Sequence, residues 1–175
     1  MAQGVVQDYI GLVMGMDRAG FLQRASTPIL IAEAPKAGLT FSQGQTRLTR
    51  ERKKSPLSRD LIRNGNMLPV FEVRQNTPGP PGQVRLGRSD ENDLVLRDDS
   101  VSSRHAVFQR DERTGTYMLQ DLASMNGTMV NGSRLVVGKP VVIFDGDVLS
   151  FGDSSFLFFY PGGLYDVIKA NLEDT

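Results

Sequence analysis

Between residues 87 and 132 the chain carries Gly87-Arg88, Ser102-Ser103-Arg104-His105, Asp121, Ser124-Met125-Asn126-Gly127-Thr128 and Asn131-Gly132. These clusters supply a planar cationic fork, short hydroxyls, one imidazole and two side-chain amides. They do not supply a paired general acid and base. His105 is the single histidine, so no histidine metal cluster or catalytic histidine pair is available. Ser102 and His105 lie three apart in one loop without a nucleophile elbow, which argues against a Ser-His-Asp triad. Asp145-Gly146-Asp147 lacks the remaining ligands of a calcium loop and reads as a hairpin turn. No metal, cofactor or catalytic residue is expected.

Groups of this kind hold an anion and a strip of peptide backbone. The Arg88 guanidinium matches a pair of phosphate oxygens in a way a lysine ammonium does not. Ser102 and Ser103 add hydroxyl donors. The Asn126 amide both donates and accepts, so it can grip a peptide main chain whatever its side chains. Gly127 and Gly132 permit the positive φ that brings loop backbone close to a ligand.

Elements that position such groups are legible from residue 67 onward. Runs rich in Val, Leu, Phe and Tyr at 68–74, 83–88, 94–96, 105–110, 116–121, 141–144, 148–151 and 156–160 alternate with turn residues. Short strands at this spacing predict an antiparallel β-sandwich, with the clusters in loops that gather at its ends. In the 105–110 strand, Ala106 and Phe108 are expected inward and Gln109 outward. Residues 164–172 predict a short amphipathic helix with Leu164, Val167, Ile168 and Leu172 on one side.

The N-terminal third differs. Residues 4–24 predict a helix with Val6, Ile10, Val13 and Met14 in a stripe that needs a surface to pack on. Residues 27–31 read as a short strand. Residues 47–59 then form a basic run with Arg50, Arg52, Lys53 and Lys54, read as a mobile linker. Residues 1–63 contain ten Lys or Arg against five Asp or Glu, and the remainder carries the opposite balance. Charge alone does not make a nucleic-acid site, and no aromatic lies within 47–59 to stack on a base. Nucleic acid is therefore not an expected partner.

The chain has no Cys, no basic-then-apolar leader, and no apolar run near the roughly 20 residues of a membrane span. We expect a cytoplasmic location without a membrane partner. The expected organisation is an N-terminal helix and basic linker over 1–66, a sandwich over 67–163 and a C-terminal helix over 164–175.

Taken in order and spacing, Gly87-Arg88, Ser102-x-x-His105, Asn126-Gly127-Thr128 and Asn131-Gly132 resemble the forkhead-associated (FHA) domain over about residues 67–161. The resemblance implies an all-β fold, an antiparallel β-sandwich of about eleven strands, with the N-terminal arm and C-terminal helix as additions. It implies binding of phosphothreonine peptides through loops at one end. Arg88 and Ser102 resemble the phosphate ligands, with Ser103 and Arg104 as loop neighbours touching phosphate or peptide. Asn126 resembles the clamp on peptide backbone, and Asn131 a second brace or peptide contact. Ser100 and Met125 lie where the family varies and are expected to tune ligand choice. Gly87, His105, Gly127 and Thr128 are expected to be structural, with His105 bracing the recognition loops from inside. The partners implied are a phosphothreonine protein and the Ser/Thr kinase that makes it. The alternative is a phosphate-independent scaffold or assembly subunit using the sandwich and terminal helices. Thr46 and Thr49 in the basic linker are expected kinase targets that the module's own Arg88 and Ser102 pocket could capture.

Overall fold

The computed structural model describes residues 4–32 and 67–173. The basic run, Thr46 and Thr49 lie outside them. Among the described residues, twelve strands form two sheets. The first sheet has the order β1 (Gly4–Val5), β3 (Pro69–Glu72), β2 (Ile29–Ala32), β12 (Ser154–Phe159), β11 (Val148–Phe151), β8 (Thr128–Val130), β9 (Ser133–Arg134). The second has the order β10 (Val141–Val142), β7 (Tyr117–Asp121), β6 (Ala106–Arg110), β4 (Gln83–Gly87), β5 (Leu94–Val95). All pairs are antiparallel except β4 with β5, which is parallel and so departs from the expected pattern. Among the described residues, no helix is long and apolar enough to cross a membrane.

The expected sandwich core fills the space between the sheets, with Leu30, Leu86, Phe108, Leu119, Leu149, Phe151 and Phe158 fully buried there. Ala106 and Phe108 point into it, and Gln109 is half-buried on the other side.

The sheet takes in more of the N-terminal segment than the expected sandwich over 67–163. β2 sits between β3 and β12, and β1 pairs with β3 at the edge. The single helix expected over 4–24 is two helices, α1 (Val6–Gly15) and α2 (Arg18–Arg24). The break follows from Asp17, whose carboxylate caps α2 by accepting from Gly20 N at 2.8 Å. The C-terminal helix, α3 (Pro161–Glu173), starts three residues before the expected Leu164 because Pro161 occupies its first turn, where a missing N–H costs nothing.

α1, α2 and α3 cover the outer face of the first sheet. Val6, Ile10, Val13, Phe21, Leu164 and Ile168 pack there against Ile29, Ile31, Leu157 and Phe159. β2 and β12 are thus buried on both faces. This is why Ile29-Leu30-Ile31 and Phe156-Leu157-Phe158-Phe159 read as unbroken apolar runs rather than alternating ones. Among the described residues, the outer face of the second sheet has no such helical cover, and β7 alternates between buried and half-buried residues.

Candidate functional site

Three connections meet at one end of the sandwich: the β4–β5 loop, the β5–β6 loop and the β7–β8 loop. The first two are joined through their backbones. Arg88 N donates to Ser102 O at 3.0 Å and Ser89 N to Ser103 O at 3.2 Å. The buried Asn92 donates from Nδ2 to both Ser89 O and Ser103 O. Gly87 is required by this approach, since a β-carbon there would stand 2.3 Å from Ser103 O.

His105 joins the second loop to the third. Its ring is fully buried and edge-on to Phe151. Nδ1 accepts from Ser102 N at 3.1 Å, so the ring proton is on Nε2, which donates to Gly127 O at 3.0 Å. Burial pushes the imidazole pKa below its ordinary value, against the opposing pull of the Gly127 carbonyl.

The third loop is shaped by a buried carboxylate. Asp121 accepts from Ser124 N, from Ser124 Oγ at 2.6 Å and from Thr128 Oγ1 at 2.6 Å. Burial alone would raise its pKa, but these hydrogen bonds outweigh it and hold the acid below the usual range. Ser124 Oγ in turn accepts from Gly127 N. Asp98 does the same work in the second loop. It accepts from Ser100 N and Ser100 Oγ, and from Ser154 Oγ on β12. The hydroxyls of Ser154 and Ser100 hold its pKa low.

On this frame, Arg88, Ser102, Ser103, Arg104, Met125 and Asn126 come to one end of the fold. Met125 N donates to Ser102 Oγ at 2.9 Å, which leaves the hydroxyl proton of Ser102 available to an acceptor. Asn126 donates from Nδ2 to Ser100 O at 2.8 Å, leaving its Oδ1 and one N–H toward solvent. Arg88 is half-exposed and donates from Nη1 to Asp99 at 2.9 Å. Arg104 pairs with Glu91 at 3.4 Å, both side chains being exposed.

Two expected peptide contacts are occupied otherwise. Ser100 Oγ donates to Asp98 and accepts from Asp153 N. Asn131 lies at the opposite end of β8 from Gly127, at φ 52° in the β8–β9 turn. There it donates to Asp147 and accepts from Val148 N. Sequence reading assigned no role to Asp98, Asp99, Asn92, Ser124 or Arg134. For Asp98 and Ser124 a signal existed, since Asp-x-Ser and Asp-x-x-Ser in a turn favour carboxylate capture of nearby N–H groups.

The arrangement brings N–H and O–H donors of three loops to one end of the fold. Residues 84–152 match the family model described as the FHA domain. They are an FHA domain. A curated relative, an ABC transporter ATP-binding/permease protein of Mycobacterium tuberculosis, is 37% identical over 45% of this chain and 9% of its own length. The transcriptional regulatory protein EmbR of the same organism is 38% identical over 47% of this chain and 20% of its own. The chain therefore spans a small part of these relatives. Among solved structures, the FHA domain of a Chlamydia trachomatis protein aligns over 77% of this chain and 97% of its own, with 18% identity and a TM-score of 0.50, a likeness of fold.

Proposed function

We propose that this chain binds phosphothreonine peptides and serves as a signalling adaptor downstream of a Ser/Thr protein kinase. Arg88 and Ser102 take the phosphate oxygens, with Ser103 and Arg104 at the rim. Asn126 holds the peptide backbone and Met125 lies beside it. Gly87, His105, Gly127 and Thr128 set the loops, and Ser100 and Asn131 act as braces. The observation that carries this reading is that the Arg88 guanidinium, the free hydroxyl proton of Ser102 and the unused Asn126 amide edge lie on loops that His105 and Asn92 tie together.

Calorimetric titration with one peptide, phosphorylated and unphosphorylated on threonine, tests it. The phosphorylated peptide alone is expected to bind. Arg88→Ala is expected to cost roughly 2–5 kcal/mol, the range for removing one member of a desolvated charge pair, with the melting temperature kept. Equal binding of both peptides would favour a phosphate-independent scaffold instead.

A further inference from the structure

The arginines near the binding end are not equivalent. Arg88, Arg97 and Arg104 each have a carboxylate within ion-pair distance, on Asp99, Asp90 and Glu91. Arg134 on β9 makes no ion pair or hydrogen bond with any described residue. Its place is nonetheless defined. Met129 pairs with Arg134 in the β8–β9 ladder, and Leu135 N donates to Thr128 O at 2.9 Å. The side chain leans back over Gly127. A β-carbon at 127 would lie 2.6 Å from Arg134 Cζ, 2.7 Å from Nη2 and 2.8 Å from Nε. Three such similar distances mean that the guanidinium plane lies face-on against the glycine. None of its N–H groups donates to a described residue.

Gly127 follows Asn126, and Met125 N is hydrogen-bonded to Ser102 Oγ. Two Cα steps of about 3.8 Å separate Gly127 from Met125, so the guanidinium stands within roughly 16 Å of the Ser102 hydroxyl. Extended peptide advances at most about 3.3–3.6 Å per residue. A ligand anchored at Ser102 thus reaches Arg134 within about five residues. A guanidinium with unused donors favours a planar or tetrahedral oxyanion.

We propose that Arg134 is a specificity-determining residue, a second anion contact that selects phosphothreonine peptides carrying an acidic or phosphorylated residue within about five positions of the phosphothreonine. This rests on the phosphothreonine reading above. Gly127 contributes by leaving the space in which the guanidinium lies.

The test uses the full chain and two phosphothreonine peptides identical except that the five residues on each side are Glu-rich in one and Gln-rich in the other. The wild type is expected to bind the Glu peptide about tenfold more tightly at low salt. Arg134→Gln is expected to bind both peptides alike, with its affinity for the Gln peptide within about twofold of wild type. Arg134→Lys is expected to keep part of the preference. A preference that survives in Arg134→Gln, or its absence from the wild type, overturns the assignment while leaving phosphothreonine binding intact. Failure of the wild type to bind either peptide overturns both.

Discussion

Arg88 and Asp99 face each other at 2.9 Å on two neighbouring loops, and Asp99 is fully exposed. The guanidinium proposed to hold phosphate is therefore already held by a carboxylate of the same chain. An exposed pair of this kind is worth about 0–1 kcal/mol, little enough for a phosphate with several donors to displace it. Asp99→Asn is expected to tighten phosphopeptide binding by up to about fivefold, with an unchanged melting temperature. Titration calorimetry checks this, and weaker binding would mean that Asp99 orients Arg88 rather than competing for it.

His105 links Ser102 N to Gly127 O from inside the fold. His105→Ala leaves those groups buried without partners, at roughly 1–3 kcal/mol. Stability and affinity are expected to fall together in urea titration and peptide binding. A variant with wild-type stability and no binding would point to contact with the ligand itself.

The same ring sets a pH dependence. Its folded pKa lies below the ordinary value near 6.5. Between the two values the unfolded chain binds more protons, so stability falls as pH drops below about 6.5 and levels off below the folded pKa. Asp121 and Asp98, both held low, add a separate loss as pH falls below their ordinary value near 4. Denaturation midpoints from pH 7.5 to about 2.5 are expected to show both phases. His105→Gln removes the first and keeps the second.

Binding has its own acid limb. Donors such as Arg88 and the Ser102 hydroxyl favour a dianionic phosphate, whose second pKa is about 6. Affinity is expected to weaken as pH falls through that value. A His105→Gln protein that still binds separates this effect from the ring; a flat profile from pH 7 to 5 would remove the requirement for the dianion.

Gly87→Ala tests the loop junction. The added β-carbon meets a backbone carbonyl at 2.3 Å, which cannot rotate away. Overpacking of this kind costs typically 1–3 kcal/mol. The midpoint in urea is expected to drop, with weaker phosphopeptide binding.

Much of the sandwich was legible because its strands obey simple periodicity. Tyr117–Asp121 alternates and is a strand covered on one face. The N-terminal contribution was less legible. Ile29-Leu30-Ile31 is apolar throughout, and a run of three does not say which layers will cover it. The helix over 4–24 divided because a capping bond at Asp17 outweighed a continuous stripe. Within the site, residue types and order pointed to Arg88, Ser102, His105 and Asn126. They could not reveal that Asp99 returns to Arg88 or that Arg134 lies on Gly127, because both contacts depend on where separate loops end in space. Asn131 illustrates the same limit: its type suits a peptide clamp, yet the turn it occupies commits both ends of its amide elsewhere.

The interior position of β2 bears on how the chain is made. Ile29 pairs with Phe159 and Ile31 with Val70, so one short strand is flanked by partners from both later parts of the sequence. During synthesis β2 emerges well before β12 and must wait for it before its second edge is satisfied. Loop closure over such a span is entropically costly and slows folding. Until then Ile29 and Ile31 present apolar surface and an open strand edge, the features that invite mispairing between nascent chains. A fragment beginning after β2 would leave the β12 edge in that exposed condition permanently, so the excised FHA core is expected to aggregate where the full chain does not.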